Sequence, residues 1–172
     1  MRTITFLSLL LVGLVVPRQS SAQASDDELV GRASEAVRGY VHVGIFDDVE
    51  INVVNRQATL TGRVTMPYKR NEIGERVAKV DGIRGVDNQI EVLPASMSDD
   101  RLRTRVARRI YSNPSFWHYA SMANPPIHII VERGRVTLTG CVNNEVERML
   151  AYALAQVEGN LGVTNKLKLD AK

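Results

Sequence analysis

Two short stretches of the chain decide its fold, because they repeat the same phrase. Residues 58–64 read ATLTGRV and residues 136–142 read VTLTGCV, so LTG recurs at an offset of 78 residues. Further along, VDGIRGVDN at 80–88 matches VEGNLGVTN at 157–165, at an offset of 77. Blocks that recur in the same order indicate a tandem duplication of a unit of about 70 residues.

Each repeated unit begins with a predicted helix. In the first unit Leu29, Ala33 and Val37 recur every four residues, as on one face of a helix. The aligned apolar residues of the second unit are Leu102, Val106 and Ile110. Acidic residues at 26–28 and 99–100 lie at the two helix N-termini, where negative charge complements the helix dipole.

A β-hairpin follows the first helix in each unit. VEINVV turns through Asn55-Arg56 into ATLTGRV, and IHIIVE turns through Arg133-Gly134 into VTLTGCV. Each turn keeps half of the Asn-Gly pair that favours a tight type I′ turn. Within LTG, alternation places the leucine on one face of the strand and its threonine neighbours on the other. We expect the glycine to let the chain leave the sheet towards the next helix.

A second helix and a final strand complete each unit. The apolar stripe of this helix is formed by Ile73, Val77 and Val80 in the first unit and by Leu150, Leu154 and Val157 in the second. Gly82 and Gly159 are expected to end the helices, as C-terminal glycines do. The last strand reads NQIEVLP or NKLKLD. We call residues 26–95 unit 1 and residues 98–170 unit 2.

The repeated blocks resemble the BON domain, the family named for bacterial osmotically inducible and nodulation proteins. The residues that carry the resemblance are Leu60, Thr61, Gly62, Gly82, Gly85, Val86 and Asn88 in unit 1, and Leu138, Thr139, Gly140, Gly159, Gly162, Val163 and Asn165 in unit 2. The resemblance implies an α+β fold of two tandem α-β-β-α-β units, each with a small three-stranded mixed sheet packed against two helices. It also implies an envelope protein that binds phospholipid or other envelope surfaces, often under osmotic or envelope stress.

The N-terminal segment, residues 1–24, has the layout of a secretory signal peptide. A basic Arg2 precedes an apolar run over residues 4–16, and Ala22-Gln23-Ala24 forms a small-x-small cleavage site. The apolar run is shorter than the roughly 20 residues of a membrane-spanning helix. The sequence therefore predicts export to the periplasm, without a transmembrane helix in the mature protein. Cys141 is the only cysteine, so neither an N-terminal lipid anchor nor an intrachain disulfide is expected.

The sequence gives little indication of a catalytic or nucleic-acid-binding function. The GxxG stretch at 82–85 would have to join two helices to form a KH loop, but here it joins a helix to a strand. His42, His118 and His128 lack metal-ligand spacing. Without the signal segment the chain holds 20 basic and 19 acidic residues, which is not the charge of a nucleic-acid binder. We expect no enzyme activity, cofactor, metal site or nucleic-acid partner.

The two units differ in charge. Residues 26–95 carry a net charge of −3, and residues 96–172 carry +4. The contrast is largest at the outward positions of the first helix, which are Glu28, Arg32, Glu35 and Ala36 in unit 1 and Arg101, Arg105, Arg108 and Arg109 in unit 2. Arg103 is expected to add a fifth charge to this face. The row is either an ordinary solvated surface or a binding face for anionic headgroups.

Unit 2 also has a longer loop after this helix, SNPSFWHYASMANPP at 112–126. Its aromatic residues Phe116, Trp117 and Tyr119 suit a membrane interface, or else they cover the sheet or the seam between the units. The short linker LPASMSD predicts that the units touch. Two functions remain open: binding of anionic phospholipid through the four arginines and the three rings of unit 2, or a periplasmic holdase-type chaperone or scaffold that binds envelope proteins.

Overall fold

The computed structural model describes residues 24–170, so nearly all of the predicted signal segment lies outside the described part of the chain. Both units are built in the predicted order, and the α+β fold is confirmed. Unit 1 consists of α1 (Asp26–Arg38), β1 (Asp48–Val54), β2 (Gln57–Val64), α2 (Pro67–Ala78), β3 (Gly85–Asn88) and β4 (Glu91–Val92). Unit 2 consists of α3 (Met97–Tyr111), a 3-10 turn (Pro114–Phe116), α4 (Trp117–Ala120), β5 (Ile127–Glu132), β6 (Arg135–Val142), α5 (Glu145–Ala155), β7 (Val163–Asn165) and β8 (Lys168–Leu169).

Each unit has a mixed sheet with three strand positions. β1 and β2 form an antiparallel hairpin, and β3 and β4 both run parallel to β2 on its other side. Unit 2 repeats this arrangement, with β5 antiparallel to β6 and with β7 and β8 parallel to β6. The predicted final strand is therefore broken into two short segments in both units.

A repeated asparagine explains this break. The side chain of Asn88 donates to the carbonyl oxygen of Arg70 at 2.7 Å and accepts from the backbone N–H of Ile90 at 3.2 Å. Asn165 forms the same two bonds, to the carbonyl oxygen of Arg148 and from the N–H of Leu167. A side chain that bonds the backbone two residues on interrupts the strand ladder. The motif asparagine thus joins the last strand to the second helix.

Both hairpin turns have the predicted type I′ conformation. Asn55 and Arg56 have φ values of 52° and 65°, and Arg133 and Gly134 have φ values of 49° and 74°. An acidic residue at the start of the first helix caps each turn. The carboxylate of Asp26 accepts from the N–H groups of Asn55 and Arg56, and the buried carboxylate of Asp99 accepts from those of Arg133 and Gly134. These acids therefore tie helix and hairpin together, in addition to their expected interaction with the helix dipole.

The motif glycines Gly62 and Gly140 lie inside a strand rather than at its exit. β2 continues past Gly62 to Val64, and β6 continues past Gly140 to Val142, so the expectation that the glycine releases the chain from the sheet is wrong. The two glycines have φ values of 114° and 99°. A β-carbon at Gly62 would overlap the carbonyl oxygen of Asp48 in β1, and one at Gly140 would overlap that of Pro126, the residue immediately before β5. Glycine is needed because the backbones approach so closely.

The first helices bury the residues that the sequence predicts. Leu29, Ala33 and Val37 of α1 lie in the core of unit 1, and the corresponding apolar residues of α3, namely Leu102, Val106 and Ile110, lie in the core of unit 2. In α2, Ile73 and Val77 are buried as predicted, whereas Val80 lies beyond the end of the helix and is half-buried.

The prediction for α5 is wrong in detail. Its fully buried residues are Ala151 and Ala155, while Leu150 and Leu154 are half-buried at the sides, and the helix ends before Val157. Alanines allow a helix backbone to approach the sheet closely, and this rotates the larger side chains of the helix away from the core. The helices α2 and α5 also end four residues before Gly82 and Gly159, so these glycines do not end the helices as expected but occupy the following turns with positive φ.

The units contact each other directly, as the short linker predicts. The N–H of Ile129 in β5 donates to the carbonyl oxygen of Ile45 at 2.7 Å. Ile45 and Phe46, which belong to the loop between α1 and β1, pack against the core of unit 2. Two ion pairs add to this junction, Arg63 with Glu132 at 3.6 Å and Lys168 with Glu50 at 3.5 Å. The loop after α1 is therefore part of the junction between the units.

Candidate functional site

Four arginines lie on the outer side of α3. Because Leu102, Val106 and Ile110 anchor the opposite side of the helix in the core, Arg101, Arg105, Arg108 and Arg109 are exposed. Within residues 24–170 none of the four forms an ion pair. The one hydrogen bond that their side chains form among these residues runs from Nη2 of Arg105 to the carbonyl oxygen of Glu158, at 3.2 Å. We call these four residues the arginine row.

Arg103 does not belong to the arginine row, so the expected fifth charge is absent from this surface. Its side chain is only 6% exposed. Nη1 of Arg103 contacts Asp100 at 2.6 Å, and Nη2 donates to the carbonyl oxygen of Val131 at 3.0 Å. Arg103 lies beside Leu102 on the side of α3 that faces β5. Its guanidinium is therefore buried between the helix and the sheet. Arg103 therefore joins α3 to the sheet.

Three members of the arginine row surround a shallow groove of about 560 Å3. Arg105, Arg108 and Arg109 are spaced i, i+3 and i+4, so they share one face of the helix within a single turn. The other wall is formed by Val157, Glu158 and Gly159, which follow α5. A guanidinium presents planar, fork-shaped donors that fit carboxylate and phosphate oxygens. The groove therefore offers several cationic donors to one anionic group.

Trp117 lies close to the C-terminal end of α3, the helix that carries the arginine row. Its ring is 60% exposed, and Nε1 donates to the carbonyl oxygen of Ser112, the C-cap residue of α3, at 3.3 Å. This bond holds the ring next to the last turn of α3, which contains Arg108 and Arg109. Of the three rings in the predicted site, Trp117 alone is exposed.

Phe116 and Tyr119 are buried, so the prediction that they face a lipid surface is wrong. Phe116 is fully enclosed in the core of unit 2, and its ring stacks on that of Tyr119 with centroids 6.1 Å apart. The hydroxyl of Tyr119 donates to Glu147 at 2.7 Å and accepts from the N–H of Asn143 at 2.9 Å. Burial, together with the hydrogen bond to Glu147, raises the pKa of Tyr119 to about 12. It is a neutral core phenol.

The residue that follows the second strand of each unit has a backbone N–H that needs an acceptor, and comparison with unit 1 explains the role of Tyr119. There a buried Asp47 accepts from the N–H of Thr65 at 2.8 Å and pairs with Nζ of Lys69 at 2.7 Å. Asn143 is the equivalent of Thr65 in unit 2, because each is the first residue after the second strand of its unit. Because Pro125 replaces the aspartate in unit 2, the N–H at this position bonds to Tyr119 and Glu147 instead. The aromatic loop thus replaces a buried ion pair.

The outer side of α5 carries an exposed apolar stripe that sequence reasoning missed. Val146 is 74% exposed, Met149 is 65% exposed, and Tyr152 completes the stripe at a spacing of three residues. The signal is present as VxxMxxY at 146–152, but Leu150 and Leu154 of the same helix show helical spacing as well and predict a different buried face. The equivalent residues of α2, set by the match of Arg70 with Arg148, are Tyr68, Asn71 and Gly74, so unit 1 keeps only the first apolar position of the stripe.

The apolar stripe and the arginine row share one surface. α3 and α5 pack against each other and against the same sheet, and their buried residues belong to one core. The two helices therefore belong to one helix layer, whose exposed residues include four arginines on α3, Trp117 and the apolar stripe on α5. Such a layer is complementary to a surface that is both anionic and apolar.

The described residues offer little other chemistry. Within residues 24–170 no group of His, Cys, Asp and Glu side chains is arranged to hold a metal ion, and Cys141 is a half-buried free thiol on β6. Among the helices of the same range, none combines the length and the apolar character needed to cross a membrane.

The comparisons with known proteins agree with the fold. The BON-domain family profile matches residues 25–94 and again residues 98–171, so the chain belongs to the BON-domain family and contains two such domains in tandem. This family is in general non-enzymatic and periplasmic. Among curated proteins no relative matches the sequence.

Two of the solved structures with some similarity belong to a bacterial secretion system. One is CdsD, a structural protein of the type III secretion system of Chlamydia trachomatis, with 13% identity, 83% of this chain and 92% of that chain covered, and a TM-score of 0.32. Another is the C-terminal domain of CdsD, with 14% identity, 86% and 100% coverage, and a TM-score of 0.31. Similarity at this level says nothing about the function of the present chain.

Proposed function

We propose that this protein binds anionic phospholipid surfaces of the bacterial envelope through the helix layer of unit 2, and that it does so without catalysing a reaction. The observation that supports the proposal is the arginine row, whose members form no ion pair within residues 24–170, beside the exposed Trp117 and the apolar stripe of α5. At the equivalent positions unit 1 has one arginine, Arg32, in place of the four, and one apolar residue, Tyr68, in place of the three of the stripe. A role in the periplasm under osmotic or envelope stress belongs to the same proposal.

The expected strength of attachment follows from the charges. A basic residue near an anionic membrane surface contributes about 1 kcal/mol, so the arginine row contributes on the order of 4 kcal/mol. Insertion of an apolar side chain adds about 1.5–3 kcal/mol when burial is complete, and less when it is partial. Ordering and docking costs reduce the sum. Attachment is therefore weak and reversible, which suits a protein without a membrane anchor in its described part.

Co-sedimentation with vesicles tests the proposal. The protein without its signal segment should pellet with vesicles that contain phosphatidylglycerol and should stay in the supernatant with pure phosphatidylcholine vesicles. Raising the salt concentration should release it, because the Debye length falls from about 10 Å at 0.1 M to about 3 Å at 1 M. Equal binding to neutral and anionic vesicles at all salt concentrations would contradict the proposal.

Trp117 should contribute to binding but little to stability. Trp117→Ala is expected to weaken binding to phosphatidylglycerol vesicles by about three- to tenfold, through lost apolar contact. The thermal midpoint should change little, because the ring is mostly exposed. Fluorescence gives a direct measurement, since Trp117 is the only tryptophan of the chain. Its emission should shift to the blue when vesicles are added.

The neighbouring ring provides the control for this experiment. Phe116→Leu should leave vesicle binding near the parent value and should destabilise unit 2 by about 1 kcal/mol, as an imperfect core replacement does. If Trp117→Ala lowers the thermal midpoint while binding is unchanged, Trp117 is a structural residue and does not belong to the binding surface.

A holdase-type chaperone is the second candidate function, and the apolar stripe of α5 favours it. Val146 and Met149 are exposed apolar residues of the kind that can contact unfolded client chains. Suppression of aggregation of a chemically unfolded client protein would measure this activity. Apolar contacts persist at high salt, whereas contacts made by the arginine row weaken. Client protection that survives 1 M salt, together with no vesicle binding, would select the chaperone.

Export should remove the predicted signal segment. Mass spectrometry of the protein recovered from the periplasm is expected to show a chain that starts at Ser25, because small residues occupy the cleavage site before it. Ser25 is also the N-cap of α1, so cleavage there leaves the first helix complete. Recovery of a chain that still carries residues 1–24 would contradict this prediction.

A further inference from the structure

A cavity of about 490 Å3 lies at the junction of the two units, away from the arginine row. One wall is the side of α1 that carries Gly31 and Ser34, and a second is the loop from Val43 to Val49. The third wall comes from unit 2, through residues 123–126, which precede β5. The cavity therefore exists only where the units meet.

The walls of this cavity are largely apolar. The apolar side chains that line it include Val37, Val43, Ile45, Val49, Ile51 and Pro126. Its volume lies in the lower part of the roughly 300–1,000 Å3 range of small-molecule sites. Space of this size suits one flexible hydrocarbon chain rather than a phospholipid with two.

The charged groups around the cavity favour an anionic end group near α1. Arg38 borders the cavity, and its guanidinium forms no ion pair within residues 24–170. Its backbone carbonyl accepts from Nδ2 of Asn124, which holds the wall from unit 2 against the end of α1. Asp47 also borders the cavity, but its carboxylate is already occupied by two N–H groups, a hydroxyl and Nζ of Lys69. Asp48 lies on the other side, where the cavity meets the cleft between the sheets.

We propose that this cavity binds a single-chain anionic amphiphile, with its hydrocarbon chain between the valines of unit 1 and the prolines of unit 2 and its acidic group at Arg38. A free fatty acid and a lysophospholipid share this chemistry. The site is independent of the arginine row and does not require the proposed membrane binding. An occupant would contact both units, so it would also stabilise their junction.

Gly31 allows a direct test. A β-carbon at Gly31 would meet nothing within 4 Å, and the residue borders the cavity on a helix. Gly31→Leu should therefore fold normally and fill part of the cavity. In titration calorimetry below the micellar concentration, hexadecanoate should bind the parent. Gly31→Leu should weaken that binding by about tenfold or more, because the leucine replaces several methylene contacts. Gly31→Ala, which adds one methyl group, should remain near the parent.

The acidic group is tested by a matched pair of arginines on the same helix. Arg38→Gln should weaken binding of hexadecanoate but not of hexadecanol, whereas Arg32→Gln, which does not line the cavity, should change neither. The same binding measurement is repeated with a lysophosphatidylglycerol of equal chain length. Binding of the lysolipid alone identifies a lysolipid site, and binding of hexadecanoate alone identifies a fatty-acid site.

Two outcomes would overturn the proposal. If Gly31→Leu binds hexadecanoate as the parent does, the chain does not occupy the cavity. If replacing the arginine row with glutamate abolishes hexadecanoate binding, the ligand sits on the helix layer of unit 2. Vesicle binding should be unchanged in Gly31→Leu, so failure of the cavity proposal and failure of the membrane proposal give different results.

Discussion

Replacing Arg101, Arg105, Arg108 and Arg109 with glutamate should abolish binding to phosphatidylglycerol vesicles. The row contributes on the order of 4 kcal/mol near an anionic surface, so its loss alone weakens binding by about a thousandfold. The introduced glutamates add repulsion. The fold should survive, because all four side chains are exposed and none forms an ion pair within residues 24–170. Co-sedimentation measures binding, and circular dichroism verifies the fold.

A matched pair of variants separates position from net charge. The double replacement of Arg108 and Arg109 by glutamate changes the net charge as much as the same replacement of Arg135 and Lys166. These two exposed residues lie outside α3, Arg135 at the start of β6 and Lys166 between β7 and β8. Only the first pair should lose vesicle binding. Equal losses would mean that net charge alone attracts the protein to membranes. If the fourfold variant binds as the parent does, the arginine row is an ordinary solvated surface.

Gly140→Ala should unfold unit 2 at a much lower temperature. The residue has a φ of 99°, and a β-carbon would overlap the carbonyl oxygen of Pro126, the residue immediately before β5. Backbone strain and forced displacement of β5 each cost about 1–3 kcal/mol, so we expect a total of about 4 kcal/mol. For a unit of this size, the thermal midpoint should fall by about 15 °C or more. Circular dichroism together with fluorescence of Trp117 would measure it.

Gly31→Ala is the control for this prediction. Gly31 lies on a helix with open space around it, and alanine there should stabilise the helix by up to about 1 kcal/mol. Gly62→Ala should repeat the large effect in unit 1, since its φ is 114° and a β-carbon there would also overlap a backbone carbonyl oxygen, that of Asp48. A Gly140→Ala protein that melts like the parent would show that β6 relaxes without cost, and the role assigned to the motif glycine would be wrong.

The features predictable from sequence are those that one segment of chain encodes by itself. The type I′ turns at Asn55-Arg56 and Arg133-Gly134 follow from local backbone preferences, and the structure has them. The buried faces of α1 and α3 follow from apolar residues at helical spacing. The exposure of the arginine row follows in turn, because it lies opposite those apolar residues. In each case the deciding interactions span only a few residues.

The errors arise where the decision depends on a distant segment. Arg103 is expected from sequence to be a surface charge, but it is buried because Nη2 donates to the carbonyl oxygen of Val131, 28 residues away on β5. In α5 the alanines face the core because the space between α3 and the sheet admits small side chains there. Neither the partner of Arg103 nor the width of that space is written in the local pattern.

The sequence by itself determined the duplication, the order of helices and strands, the turn geometry and the asymmetry of charge, because each is encoded in residue spacing or composition. Only the tertiary structure decided which aromatic residue of the 112–126 loop is exposed. It enclosed Phe116 and Tyr119 in the core of unit 2 and left Trp117 at the end of α3. It also brought the apolar stripe of α5 beside the arginine row and formed the cavity between the units. The physical reason is that burial is set by what other parts of the chain cover a side chain, and those parts are remote in sequence.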